Sequence, residues 1–122
     1  MPDAARIRAF VTLVESGQYV QAIEEFYHPD ASMQENTAPP RTGRDTLVAH
    51  ERKVLAGLKA MKTRCADTVL VDGDNVVINW VFEMTGPDGT VRVLDELALQ
   101  SWDGDRIRRE RFYYDPAQLR QS

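Results

Sequence analysis

Two carboxylates in this 122-residue chain sit where their surroundings invite chemistry. Asp95 lies in the alternation Val93, Asp95, Leu97, Leu99, whose members share one face of an extended strand. A carboxylate set among Val and Leu must find a hydrogen-bond partner, lose its charge or open onto a cavity, because stranding it in an apolar medium costs several kcal/mol. Glu35 ends the segment ASMQE, just before Asn36 and the loop Thr37-Ala38-Pro39-Pro40. If one cavity receives both acids, unlike surroundings drive their pKa values apart, leaving one as a base and the other as a neutral donor. Such a pair suits proton transfer beside a carbonyl. The competing reading ties Asp95 to an arginine or tyrosine as a structural acid and leaves Glu35 solvated.

Further candidates are His50 and Glu51, consecutive on a helix. A histidine there can serve as acid or base near neutrality, or simply touch a ligand, though a helix-borne His-Glu pair also suits plain surface. Trp80, Phe82, Phe112 and Tyr114 recur at period two in strand-like segments, which makes them core or, in an open cone, the lining of its hollow. Tyr27, beside a helix breaker, and Tyr113 are weaker entries. Arg106, Arg108, Arg109 and Arg111 alternate across a strand beside Asp103, Asp105 and Glu110, so they read as salt-bridged surface rather than a phosphate stripe. A net charge of −4 argues against a nucleic-acid or acidic-membrane partner. One cysteine, Cys65, leaves no internal disulfide, and two histidines without Cys/His spacing point to no metal and no cofactor. With no long apolar run and no apolar leader, the expectation is a soluble cytoplasmic protein.

These side chains need elements to hold them. Ile7, Phe10, Val11 and Val14 fall on one helical face behind Asp3 as N-cap, and Ser16-Gly17 ends that helix. Tyr19, Ala22, Ile23 and Phe26 predict a second helix, stopped by His28-Pro29-Asp30. A short strand spans 31–35. Thr42 and Asp45 resemble a capping box opening a third helix, with Leu47, His50 or Glu51, Val54 and Leu58 on one face. Segments 62–71, 75–85, 90–102 and 106–115 are strand-like and are joined by Asp72-Gly73-Asp74, Gly86-Pro87-Asp88-Gly89 and Asp103-Gly104. Three hairpins make a four-stranded antiparallel meander. In its second strand Val76, Ile78, Trp80, Phe82 and Met84 form the core face. Helices first and a meander later predict one α+β domain over residues 1–122, with helices on one face of a strongly curved sheet. Neither face of the last strand is purely apolar, which suits an inner face lining a polar-tipped cavity and an outer face meeting solvent or a second subunit.

This order of elements, with YHPDASMQEN after the second helix, PPRTGRDTL opening the third and LDELALQSWDGDRIRRERFYYDP closing, resembles the NTF2-like superfamily, in particular its SnoaL-like branch. The resemblance covers essentially the whole chain. It implies a cystatin-like cone of three helices on a curved sheet, a homodimer formed through the sheet's outer face, and a small apolar organic ligand inside. Activities in the superfamily include ketosteroid isomerases, polyketide cyclases, epoxide hydrolases and dehydratases, alongside members with no turnover. Matched to the isomerases, the base falls on Glu35 and the neutral acid of the oxyanion hole on Asp95. Where those enzymes complete that hole with a tyrosine, this chain has Phe10, without a hydroxyl. The cyclases' acid/base carboxylate has its nearest counterparts in Glu110 and Asp115, and further pocket positions fall on Trp80, Phe82, Glu110, Phe112 and Tyr114. The reading that follows is cofactor-free isomerase-like or cyclase-like proton transfer. Its rivals are a ligand-binding or protein-interaction module with no turnover, and an epoxide hydrolase-like or dehydratase-like enzyme.

Overall fold

The computed structural model describes residues 1–120; the last two residues of the expected 1–122 range lie outside it. Two helices open the chain, α1 (Ala4–Glu15) and α2 (Tyr19–Phe26). The Asp3 side chain accepts the Arg6 backbone N–H at 2.7 Å and caps α1, while Gly17 supplies the left-handed φ of 82° that turns the chain into α2. The buried faces, Ile7, Phe10 and Val14 on α1 and Tyr19, Ala22, Ile23 and Phe26 on α2, are those the periodicity predicts. Arg6 fastens the pair: its guanidinium donates to the Glu25 and Asp105 carbonyls and lies 3.8 Å over the Phe26 ring.

Strand β1 (Tyr27–Glu35) begins at once, four residues earlier than expected, and β2 (Arg41–Thr42) folds back on it. Helix α3 (Arg44–Ala56) follows. The expected Thr42 capping box does not form: Thr42 is paired with Ser32 in the sheet, and Gly43 is the N-cap, with φ 100° and no side-chain hydrogen bond. The meander is present as β3 (Ala60–Asp72), β4 (Asn75–Thr85), β5 (Val91–Asp103) and β6 (Arg106–Tyr113), and a 3-10 turn spans Pro116–Leu119.

The six strands form one sheet in the order β2-β1-β6-β5-β4-β3, antiparallel except where β1 runs parallel to β6. Three helices on such a sheet make an α+β fold, with α1 on β3 and α3 on β1. Phe10 is the hub of the core, its ring centroid 5.4 Å from Phe26, 6.1 Å from Tyr27, 6.3 Å from Trp80 and 6.2 Å from Trp102. A bulge at Arg108 lets Ile107 and Glu110, which strict alternation would put on opposite faces, both turn inward. No helix among the described residues is long and apolar enough to cross a membrane.

Candidate functional site

The inner face of β5 carries Leu94, Glu96, Ala98, Gln100 and Trp102, all buried, while Val93, Asp95, Leu97 and Leu99 are exposed on the outer face. The expected placement of Asp95 in a cavity is therefore one residue out of step. Its carboxylate accepts from the Asn79 side chain at 2.7 Å, and its backbone N–H and carbonyl meet the Gln118 amide. The acid inside is Glu96, the residue next to it, 6% exposed. The register explains this. Antiparallel pairing sets Trp80 opposite Glu96 and Phe82 opposite Leu94, and opposed residues share a face.

Two adjoining hollows lie between helices and sheet. The inner one, about 80 Å³, is lined by Phe10, Tyr27, Trp80 and Glu110 together with Val14, Tyr19, Ala22 and Ile23. The outer one, about 640 Å³, holds Glu35, His50, Glu96 and Tyr114, with Arg41, Lys53 and Arg92 on its walls. Met33, Glu51, Phe82 and Phe112 line both. Of the candidate residues, all but Asp95, Tyr113 and Asp115 thus border one of the hollows. The sequence reading missed Glu96, Arg41, Arg92 and Gln100. Asp115, the alternative late acid, instead caps the 3-10 turn by accepting from the Ala117 backbone N–H. An aspartate pair of the kind epoxide opening would use does not occur among the described residues lining either hollow.

Glu35 is placed by its neighbour. Asn36, at φ 50°, donates its backbone N–H to the Phe112 carbonyl, accepts the Tyr114 N–H on its side chain and accepts the Arg111 guanidinium on its carbonyl. Asparagine tolerates that left-handed backbone better than most residues. Glu35 itself pairs with Arg41 at 3.5 Å. Burial pushes the Glu96 carboxyl up to about 8, helped by the charges of Glu110, Glu35 and Glu51. Glu51, on α3, is also raised by burial and by Glu35. Glu110 reaches about 7: burial outweighs the hydrogen bonds it accepts from the Gln100 amide at 2.6 Å and from the Tyr27 hydroxyl. The Trp102 indole N–H, donating to the Gln100 carbonyl oxygen, orients that amide. His50 is held below its ordinary value by burial and by Arg41, so it is neutral at pH 7. Burial raises Tyr114, with Glu35 and Glu96 adding to the effect.

At neutral pH the hollow thus holds an ion-paired carboxylate at Glu35 and a protonated carboxyl at Glu96 that makes no hydrogen bond to a described residue. Neither group alone does much. Together they can take a proton from carbon and stabilise the charge that forms on oxygen. No cluster of His, Cys, Asp and Glu among the described residues has the spacing to hold a metal ion.

The chain belongs to the SnoaL-like domain family, which it matches over residues 7–110. Its fold is that of the NTF2-like superfamily. A candidate SnoaL-like polyketide cyclase from Mesorhizobium loti is 22% identical, covering 93% of this chain and 100% of its own, with a TM-score of 0.78. An NTF2-like protein of unknown function from Burkholderia pseudomallei is 15% identical, covering 94% and 92%, with a TM-score of 0.81. TerC, co-crystallised with polyporic acid, is 18% identical, covering 98% and 95%, also at 0.81. No curated protein matches the sequence.

Proposed function

We propose that this SnoaL-like protein, read as one domain over residues 1–122, binds a small, largely apolar carbonyl compound and moves a proton on it without a cofactor, as an isomerase or cyclase does. The observation that carries this is the shared hollow, which Glu35, ion-paired at its edge, lines together with the protonated Glu96, without a hydrogen-bond partner among the described residues, and with Phe82, Phe112, Leu94 and Met33. Glu35 takes a proton from the carbon next to the carbonyl. The C–H electrons become a carbon–carbon double bond and the carbonyl π electrons move to oxygen, where the Glu96 hydroxyl donates a hydrogen bond. Returning the proton at another carbon of a conjugated enolate gives an isomer; attack of the enolate carbon on a second carbonyl of the same molecule closes a ring, the π electrons of that carbonyl moving to its oxygen, which takes the proton held by Glu35. Glu96 takes the part that the family resemblance gave to Asp95. Glu51 and Glu110, both raised, accept or return protons deeper in the hollow. The complex of TerC with polyporic acid supports an organic ligand for this fold.

Hydrogen–deuterium exchange at the α carbon of aryl ketones and cyclic enones in D2O, followed by NMR, tests the reading. The expected result is acceleration by the wild-type protein, cut by about 10²–10⁴ in Glu35→Gln and in Glu96→Gln. Binding without any accelerated exchange would leave the protein a ligand carrier and overturn the catalytic reading.

A second copy of the chain is the proposed partner, seated on the outer sheet face. Val93, Leu97 and Leu99 are 53%, 46% and 38% exposed there and line up on one strand face as a single apolar stripe. Asp95 and Glu83 lie toward one end of that face and Arg109 and Arg111 toward the other. A two-fold axis through the face sets each acidic end on the partner's basic end. The single free thiol, Cys65, suits a reducing compartment, and the cytoplasm is the proposed location.

A further inference from the structure

Three cations line the outer hollow, and they differ in what they already hold. Arg41 is paired with Glu35, and Lys53 stands exposed in the last turn of α3. Arg92, on the inner face of β5 at the rim, has no carboxylate in ion-pair range among the described residues. Its Nη1 donates to the Leu119 carbonyl at 2.6 Å, and its Nε–H is sealed from solvent with no acceptor among the described residues. Among the described residues no other side-chain polar atom fully sealed from solvent lacks a partner, the Glu96 carboxyl keeping a slight exposure. A sealed donor on a charged group is a standing cost, and such a group in a native protein calls for an acceptor beyond those the described residues supply.

Resting on the proton-transfer reading of this hollow, we infer that the substrate carries a carboxylate, which Arg92 takes at the rim while the reacting carbonyl lies against Glu96. The edge of a guanidinium formed by Nε and an Nη presents two parallel N–H groups at the spacing of carboxylate oxygens, which a lone ammonium cannot match. Between the two residues the wall is apolar. Leu94 lies between them on the same face of β5, Met84 opposes Arg92, and Phe82 opposes Leu94. Four residues of strand set the two backbone positions about 13 Å apart. The ligand is therefore an elongated anion with a hydrocarbon middle, its ketone or enone at one end and its carboxylate at the other. With Glu96 protonated and Glu35 matched by Arg41, the rim end of the hollow is net positive and does not repel such an anion. Seating the carboxylate on the Nε edge asks the turn at Pro116–Leu119 to yield. That turn is held to β5 by side chains, the Gln118 amide on the Asp95 backbone and Arg92 itself, rather than by a ladder of strand bonds.

The test compares 8-oxo-8-phenyloctanoate with its methyl ester by isothermal titration calorimetry. The wild-type protein is expected to bind the acid about tenfold more tightly than the ester, the scale of one charge-assisted pair. Arg92→Met should erase that difference and leave the ester's affinity within about twofold. Should Arg92→Met fold poorly by circular dichroism, Arg92→Lys, which keeps the charge and loses the fork, should still lose most of the preference. Equal binding of acid and ester to the wild type, or an undiminished preference in either variant, overturns the assignment of Arg92. Ester binding with accelerated α-proton exchange would then leave the proton-transfer reading standing, whereas failure of both compounds to bind overturns the two together.

Discussion

Glu96 and Phe10 show how far single residues were legible. Phe10 was placed correctly on an apolar helical face, and the structure makes it the centre of four aromatic contacts. Phe10→Ala should lower unfolding free energy by about 3–5 kcal/mol in urea titrations. The inward acid was missed because both faces of β5 carry aliphatic residues, and the outer one carries more. Composition alone misled there. The better signal lay in the partner strand, since carrying the aromatic face of β4 across the turn selects Glu96, not Asp95. Glu96 also makes a pH prediction. Its folded-state value of about 8, and about 7 for Glu110, stand above the ordinary 4.5 of an exposed glutamate, so the folded protein holds protons that the unfolded chain releases. Their contribution to stability is complete below about pH 4.5 and is lost as pH rises to about 8, at up to about 1.4 kcal/mol per pH unit for each proton. Thermal melts across that window should show a falling Tm, with a shallower slope in Glu96→Gln. A Tm indifferent to pH in the wild type would mean that Glu96 is not buried as a neutral acid.

At the level of elements, all three helices and all four meander strands could be read from periodicity and turn residues, because each has a clean apolar face or a glycine-marked turn. Junctions were harder. The Thr42 capping box looked sound locally, but sheet pairing with Ser32 claimed that residue and passed the cap to Gly43. Gly43 accepts φ 100° without strain, and a Cβ there would find space, with Thr46 Oγ1 at 3.6 Å. Gly43→Ala should therefore destabilise through backbone strain rather than collision, by about 1–3 kcal/mol in the same titrations. Two-residue β2, the bulge at Arg108 and the turn at Pro116–Leu119 left no mark that sequence periodicity registers, since each is fixed by its neighbours in space.

For the whole molecule, the order of helices and meander conveyed the α+β class, while the hollow could only be inferred from polar residues sitting on apolar faces. Its dimensions depend on how three helices stand off the sheet, a quantity no local pattern encodes. The proposed two-fold assembly is testable at this scale. Light scattering at micromolar concentration should report twice the 13.9 kDa chain mass, and Leu97→Glu should return it to one. A wild-type protein of single-chain mass would remove the partner from the outer face. The pairing of β1 with β6 has a last consequence, for synthesis. Glu35 lies beside Phe112 in the sheet although 77 residues separate them in the chain. A ribosome must therefore finish almost everything before the earliest strand can find β6 on its other side, and contacts this distant in sequence form slowly. Until β4 and β5 bring Trp80 and Trp102, the two leading helices have no aromatic floor to settle on, and their greasy sides stay open to whatever chaperone stands at the exit tunnel.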